Sequence, residues 1–419
     1  MIQVYLKIDS RSLFKKRGLV TTTDSSITPD REDTAPFVGQ SDFASERPHF
    51  LFQIEETRYD FLRTVDRRPN GEVLMLAERH EPNVLPGPVF IKRLHTPASR
   101  ARRQRLVEEV QLAYRLSHPA IAQVHHFKVR ERKPYVVMEY VDGPSLDTVL
   151  CLMALRGRPV SVAFALFVGA ELADALDHAH SLTDEEGRPL GLVHRDVSPR
   201  NVRVARDGTV KLTHFGAAYS HLVGRVETQG LLRKGDVAYA SPEYLSLDPL
   251  TPASDLFSLG LSLLELATGR HLFQAALECG GSEEPTARHG LQVEEEPSLP
   301  LTCMLAQVRC YTAEDVACAV AELPEAFGAA LQQALRREPG ARQVTAGALR
   351  DVLRDCLALE QRREGGRLYG RKEAAEELAR LVADASVARD QVELEDEDLF
   401  PMGLEAHALT RPSVRKRRK

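Results

Sequence analysis

His194-Arg195-Asp196-Val197-Ser198-Pro199-Arg200-Asn201 and, a little further on, Lys211-Leu212-Thr213-His214-Phe215-Gly216 are the stretches on which the reading of this chain turns. Between them, short strands flank a turn at Arg206-Asp207-Gly208. Upstream, residues 58–65, 72–78 and 89–94 carry the pattern of three strands in a small sheet. Pro97 then opens a helix at 98–116, with Leu106, Val110 and Ala113 on one face, and His118-Pro119 ends it. Two more strands are expected at 121–129 and 135–140. From Ser145 the pattern turns helical. Residues 160–180 place Leu166, Ala170, Ala173 and Leu176 at helical spacing, and further helices are expected at 254–268, 324–337, 346–359 and 371–383. A strand-rich small part followed by a mostly helical large part is one α+β arrangement, and nucleotide clefts often lie between two such lobes.

Composition narrows the class. The chain has 419 residues, of which 43% are hydrophobic, enough for a sizeable core. A formal net charge of −5 implies no general affinity for nucleic acid. The six cysteines, Cys151, Cys279, Cys303, Cys310, Cys318 and Cys356, form no C-x-x-C pair and read as reduced thiols of a cytoplasmic protein. The first residues lack the apolar core of a secretory signal. The most apolar internal stretches, 163–176 and 256–267, are too short or carry Glu171 and Glu265, whereas a span needs about 20 largely apolar residues. No membrane span is expected. Residues 1–48 read as a flexible leader, 278–300 as a polar insertion, 361–385 as a C-terminal helix, and 386–419 as a disordered tail. That tail is acidic at 393–398 and basic at 415–419.

Residues from about 58 to 360 resemble the serine/threonine protein kinase family, particularly bacterial members that read H-R-D-V-S-P-x-N. The resemblance rests on motifs in order. Val89-Phe90-Ile91-Lys92 stands for V-A-I-K, and Glu109 for the helix glutamate that pairs with the lysine. Val137-Met138-Glu139-Tyr140-Val141 stands for gatekeeper and hinge. Ser241-Pro242-Glu243 matches A-P-E, Asp255 the buried aspartate of a large-lobe helix, and Arg342 the arginine that pairs with Glu243. It implies a bilobal protein kinase-like fold, with a small β-rich N-lobe at 58–140 and a large mainly helical C-lobe at 141–360. By resemblance, Asp196 accepts the substrate hydroxyl proton, Asn201 holds a metal ion, and Lys92, oriented by Glu109, contacts the α- and β-phosphates. Glu139, Tyr140, Val73, Gly71, Phe90 and Arg203 fall at nucleotide-contacting positions. The same ion pairs and His194, Phe215 and Asp255 hold a kinase fold whether or not it is active.

Several groups depart from the family pattern. His214 replaces the metal-binding aspartate of D-F-G. A carboxylate is a hard ligand suited to Mg²⁺, while imidazole prefers softer metals. A zinc or manganese site at His214 is the other reading, but no second His or Cys stands at a recognisable spacing. Aligned on Gly71, the phosphate-covering loop offers Asp66, Arg68 and Gly71 where three glycines are expected, and Asp66 brings a like charge. Phe90 replaces the alanine that packs on adenine, and Arg203 an apolar residue beneath it. A phenyl ring there fills much of the base volume, an overpacking that typically costs about 1–3 kcal/mol. A local register shift that points Phe90 elsewhere is the alternative. Ser198 replaces a transfer lysine, and Asp236 brings a second acid toward Asp196. Thr228 lies in the activation-segment position at 217–240, where phosphorylation would pair it with Arg195.

Taken together, the substitutions imply a pseudokinase: a signalling scaffold or regulator that binds a protein partner, such as an active kinase or a signalling component, with no cofactor. The alternative is an active ATP-dependent serine/threonine kinase using ATP and Mg²⁺ at a non-standard metal site. A third reading is a nucleotide-binding sensor without transfer.

Overall fold

The computed structural model describes residues 49–67, 72–94, 110, 113–215, 237–274, 306–342, 344–363, 365–366 and 368–399. Gly71, Arg68, Glu109, Thr228, Asp236, the 1–48 leader, the 278–300 insertion and the basic end of the tail lie outside the described residues.

The alternating side chains of the first half build one antiparallel sheet of six strands. They are β1 (His49–Ile54), β2 (Thr57–Arg67), β3 (Val73–His80), β4 (Gly87–Arg93), β5 (Val124–Arg130) and β6 (Lys133–Glu139), in the spatial order β1-β2-β3-β4-β6-β5. Successive side chains of a strand point to opposite faces, and β4 shows what that does. Val89 and Ile91 join an outer core with Phe52, Tyr59, Phe61, Val73, Met75, Ala77 and Val137. Phe90 and Leu94 join an inner core with Leu74, Val110, Val136 and Met138.

The sheet starts at His49, ahead of the first strand expected at 58–65. β1 pairs with β2 through a tight turn in which Glu55 adopts φ 51°. Its sequence, a nearly continuous apolar run closed by two glutamates, lacks the Asn-Gly or Asp-Gly signal that announces a hairpin.

The large lobe is helical. Helix α1 (Leu146–Arg156) begins at Ser145, whose side chain accepts the Thr148 N–H. Helix α2 (Val162–His180) is apolar almost all round and lies at the centre, with Phe164, Leu166, Leu172 and Leu176 fully buried. A short hairpin, β7 (Val202–Val204) and β8 (Val210–Leu212), precedes α3 (Pro242–Ser246) and α4 (Pro252–Thr268). Helices α5 (Ala313–Ala319), α6 (Glu325–Ala334) and α7 (Ala346–Arg363) follow. Glu243 and Arg342 meet in a bidentate pair, 2.6 and 2.9 Å, almost without solvent access.

The last helix, α8 (Arg371–Leu399), runs past the expected end at 385 into the segment read as a disordered acidic tail. The cause is composition. The segment is rich in Ala, Glu and Leu, all good helix formers, and its first proline is Pro401. α8 docks on the start of α2. Glu377 accepts hydrogen bonds from Ser161 N (2.6 Å), Ser161 Oγ (2.7 Å) and Tyr369 OH (2.7 Å), while Ser161 Oγ also caps α2 by accepting the Phe164 N–H. At the tip of the β7–β8 hairpin, Gly208 has φ +81° and lies so close to the Arg371 carbonyl that a Cβ there would collide with it. Among the described residues no helix is long and apolar enough to cross a membrane.

Candidate functional site

The large-lobe side of the cleft hangs on Asp255, in the first turn of α4. Its carboxylate accepts the backbone N–H of His194 (2.8 Å) and of Arg195 (2.9 Å), and lies 2.9 Å from His180 Nε2. Burial alone would raise the Asp255 carboxyl, yet the hydrogen bond and charge of His180 hold it below the ordinary range. His194 Nδ1 accepts the Asp196 N–H at 3.2 Å, which leaves Nε2 as the protonated nitrogen facing the Thr213 carbonyl at 3.0 Å. Burial pushes the His194 imidazole below its usual pKa. Phe215 packs edge-on against this ring, 4.4 Å between centroids.

This frame sets three of the expected side chains together. Asp196 is 7% exposed, and the Asn201 amide donates to the Asp196 carbonyl at 2.7 Å. Thr213 returns to the Asn201 carbonyl through its N–H (2.8 Å) and its hydroxyl (2.9 Å). His214 follows with φ 71°, and its Nδ1 lies 2.5 Å from Thr213 Oγ1. Arg195 has φ 68°. Side chains in this left-handed region cost of order 1–3 kcal/mol each and persist only where neighbours over-determine them. At Arg195 the Asp255 carboxylate does so.

The small-lobe side is built differently. Phe90 is 4% exposed and packs edge-on against Tyr140, 5.0 Å between centroids. The Arg203 guanidinium lies over the Phe90 ring, 4.8 Å from its centroid, and Arg203 Nη1 donates to the Gly143 carbonyl at 2.7 Å. One small-lobe strand, the hinge and the large-lobe hairpin thus converge on a single aromatic ring. Gly143 is needed for this approach, because a Cβ there would collide with the Val204 carbonyl. Burial lowers the Arg203 pKa, opposed by nearby Tyr140 and Asp66, and burial likewise lowers that of Arg63 on β2. Burial, with a 3.0 Å hydrogen bond to Asp142, raises that of Tyr140.

Lys92 lies on the same face of β4 as Phe90, and its Nζ is 2.9 Å from Glu72 Oε2. The expected partner Glu109 lies outside the described residues, as does Gly71. Glu139, at the hinge, turns its carboxylate to Lys211 Nζ (2.9 Å) and to the Gln123 N–H (3.1 Å), which ties the hinge to β8. One expectation is corrected. Val73 belongs to the outer core, and Leu74 takes the cleft face beside Phe90, paired directly with Lys92. With a side-chain period of two, an alignment one residue out exchanges the faces. The sequence alignment was anchored on Gly71, and the register shifts between β2 and β3, at Phe61/Arg63 and Thr64/Asp66, carry no sequence signal. The same slip hid Glu72. Gly143 and Arg63 were also missed, and the close backbone approach that requires Gly143 is a tertiary fact.

The family model described as protein kinase domain matches residues 71–346. Among curated proteins, the chain is similar to the tyrosine-protein kinase MasK of Myxococcus xanthus. They are 31% identical over 251 residues, 60% of this chain and 35% of that protein. It is similar to the serine/threonine-protein kinase PknK of Mycobacterium bovis, 30% identical over 320 residues, 76% of this chain and 25% of that protein. The serine/threonine-protein kinase PksC of Streptomyces coelicolor is 33% identical over 284 residues, 66% of this chain and 45% of that protein. The chain therefore spans between a quarter and under half of the length of these relatives.

Proposed function

The chain belongs to the protein kinase family, and from that premise we propose that it is a member with little or no phosphotransferase activity. It acts by binding another protein, an active kinase or another signalling component, as a scaffold or regulator in the cytoplasm. The observation that carries this reading is the ring of Phe90, buried between Tyr140 and the Arg203 guanidinium. By family resemblance that is the volume a purine takes. To admit a base, the Phe90 side chain must leave a packed site and Arg203 must give up the Gly143 carbonyl.

Kinases use ATP with Mg²⁺ ions held by an aspartate and an asparagine. The residues at those positions do not fit that pair of ions. His214 offers imidazole, a poor ligand for Mg²⁺, in place of the carboxylate, so the neutral Asn201 amide oxygen is left without its charged companion. Among the described residues, no three His, Cys, Asp or Glu side chains converge so as to hold a metal ion.

One observation favours the alternative, an active kinase with a non-standard metal site. The loop at 194–201 has a hydrogen-bonded frame, in which Asp255 accepts the His194 and Arg195 N–H groups and His194 Nδ1 accepts that of Asp196. The two readings part in a phosphotransfer assay with ATP and either Mg²⁺ or Mn²⁺, using generic protein substrates and autophosphorylation as readouts. The proposal expects no transfer above that of Asp196→Asn. Transfer by the wild type that Asp196→Asn abolishes would overturn it.

A further inference from the structure

Lys92 and Glu72 form the second unusual contact in the cleft. β3 and β4 pair with Leu74 opposite Lys92, so Glu72, two residues before Leu74, projects on the same face and stands diagonal to the lysine. The two charges meet at 2.9 Å with side-chain exposures of 9% and 17%. An ion pair withdrawn from water this far is screened less than a surface pair, and removing one partner leaves the other charge buried. By family resemblance, the ammonium of Lys92 is the group that meets the phosphates of a nucleotide.

We propose that Glu72 is a built-in anion that takes the phosphate place at Lys92, so that the cleft is filled in cis at both ends. Phe90 stands for the base and the Glu72 carboxylate for the phosphate. This deepens the function proposed above and rests on it for the role of Lys92. A free polyphosphate entering the cleft meets a lysine already neutralised and a carboxylate of like charge beside it. Like-charge juxtaposition of this kind suppresses binding of the wrong partner. Glu72 therefore disfavours anions at its own end of the cleft, independently of Phe90 at the other.

The test separates this proposal from the one above by using a ligand with neither base nor metal. Inorganic tripolyphosphate is titrated into the full chain and followed by calorimetry and by the shift in unfolding temperature. The wild type is expected to give neither heat nor shift. Glu72→Gln is expected to bind at least about tenfold more tightly than the wild type, with an unfolding temperature that rises with ligand concentration. The double variant Glu72→Gln/Lys92→Met is expected to lose that gain. Equal binding by the wild type and Glu72→Gln, or equal binding by Glu72→Gln and the double variant, overturns the proposal. Should Glu72→Gln fail to fold, Glu72→Asp keeps the charge and withdraws it by one methylene. It is expected to bind more tightly than the wild type, and equality again overturns the proposal.

Discussion

Two polar systems face each other across the cleft, and they match the family pattern to different degrees. Under the loop at 194–201, His180, Asp255, His194 and Thr213 form a chain of hydrogen bonds, and Glu243 with Arg342 forms a separate buried pair. At the hinge, Phe90, Arg203 and Tyr140 form a packed group that has no counterpart in the family pattern, and Glu72 meets Lys92. The first system bonds protein to protein. It is needed for folding whatever the cleft contains, because breaking a buried charged pair leaves an uncompensated charge. The second occupies positions whose family counterparts bond to a ligand. Where no ligand is to be bound, those positions are open to any residue that packs. The comparison thus distinguishes groups that hold the lobe from groups that serve a nucleotide.

The comparison breaks or sharpens in four places. Arg342→Met removes one partner of the buried Glu243 pair and is expected to cost about 3–5 kcal/mol of stability, read from urea unfolding. A loss below about 1 kcal/mol would put this pair in the class of surface bridges and deprive the scaffold side of its structural role. Phe90→Ala is expected to cost about 3 kcal/mol, the low end for a buried phenylalanine because water can reach the cleft. No loss would mean that the ring is not packed. Arg203→Met keeps the length of the stem but removes the cation from the ring and the bond to Gly143. A desolvated cation–π contact is worth about 2 kcal/mol, and a loss of that size in the same unfolding assay is the expected outcome. Ser161→Ala removes the cap of α2 together with a contact to Glu377 on α8, with an expected loss of about 1 kcal/mol and faster proteolysis near residue 371.

The scaffold side also carries a pH signature. His194 is held neutral by burial, with its pKa below the ordinary 6.5. Below that value the unfolded chain takes up a proton that the folded chain resists, so stability rises with pH in this window. The contribution is complete above about pH 6.5 and is lost as pH falls toward the lower folded value. Urea midpoints measured from pH 7.5 downward should therefore decline, whereas a midpoint independent of pH would argue against a buried neutral ring. Phe90 and Arg203 lie on the other system and contribute no titration here.

Much of this was legible in the sequence for a physical reason. Resemblance of residues 89–92 to V-A-I-K put Phe90 and Lys92 at cleft positions; Phe90 lies in the inner core, and Lys92 pairs with Leu74 of that core. The helical spacing at 160–180 announced α2, though not that it is buried almost all round, and Glu243 with Arg342 followed from motif order. What was not legible depends on three-dimensional register or on distant backbone. Val73 and Leu74 differ by one position, and only the pairing of Leu74 with Lys92 decides which faces the cleft. Glu72 became visible through the same pairing. β1 lacked a turn signal, and α8 carries an acidic composition that suits both a solvated tail and a helix.

The most direct measurement is calorimetric titration of ATP, with and without Mg²⁺, into the wild-type chain and into Phe90→Ala. The account predicts no saturable heat from the wild type in either condition and a saturable isotherm for Phe90→Ala, whose smaller side chain opens the base volume. Saturable, Mg²⁺-dependent binding of ATP by the wild type would contradict it.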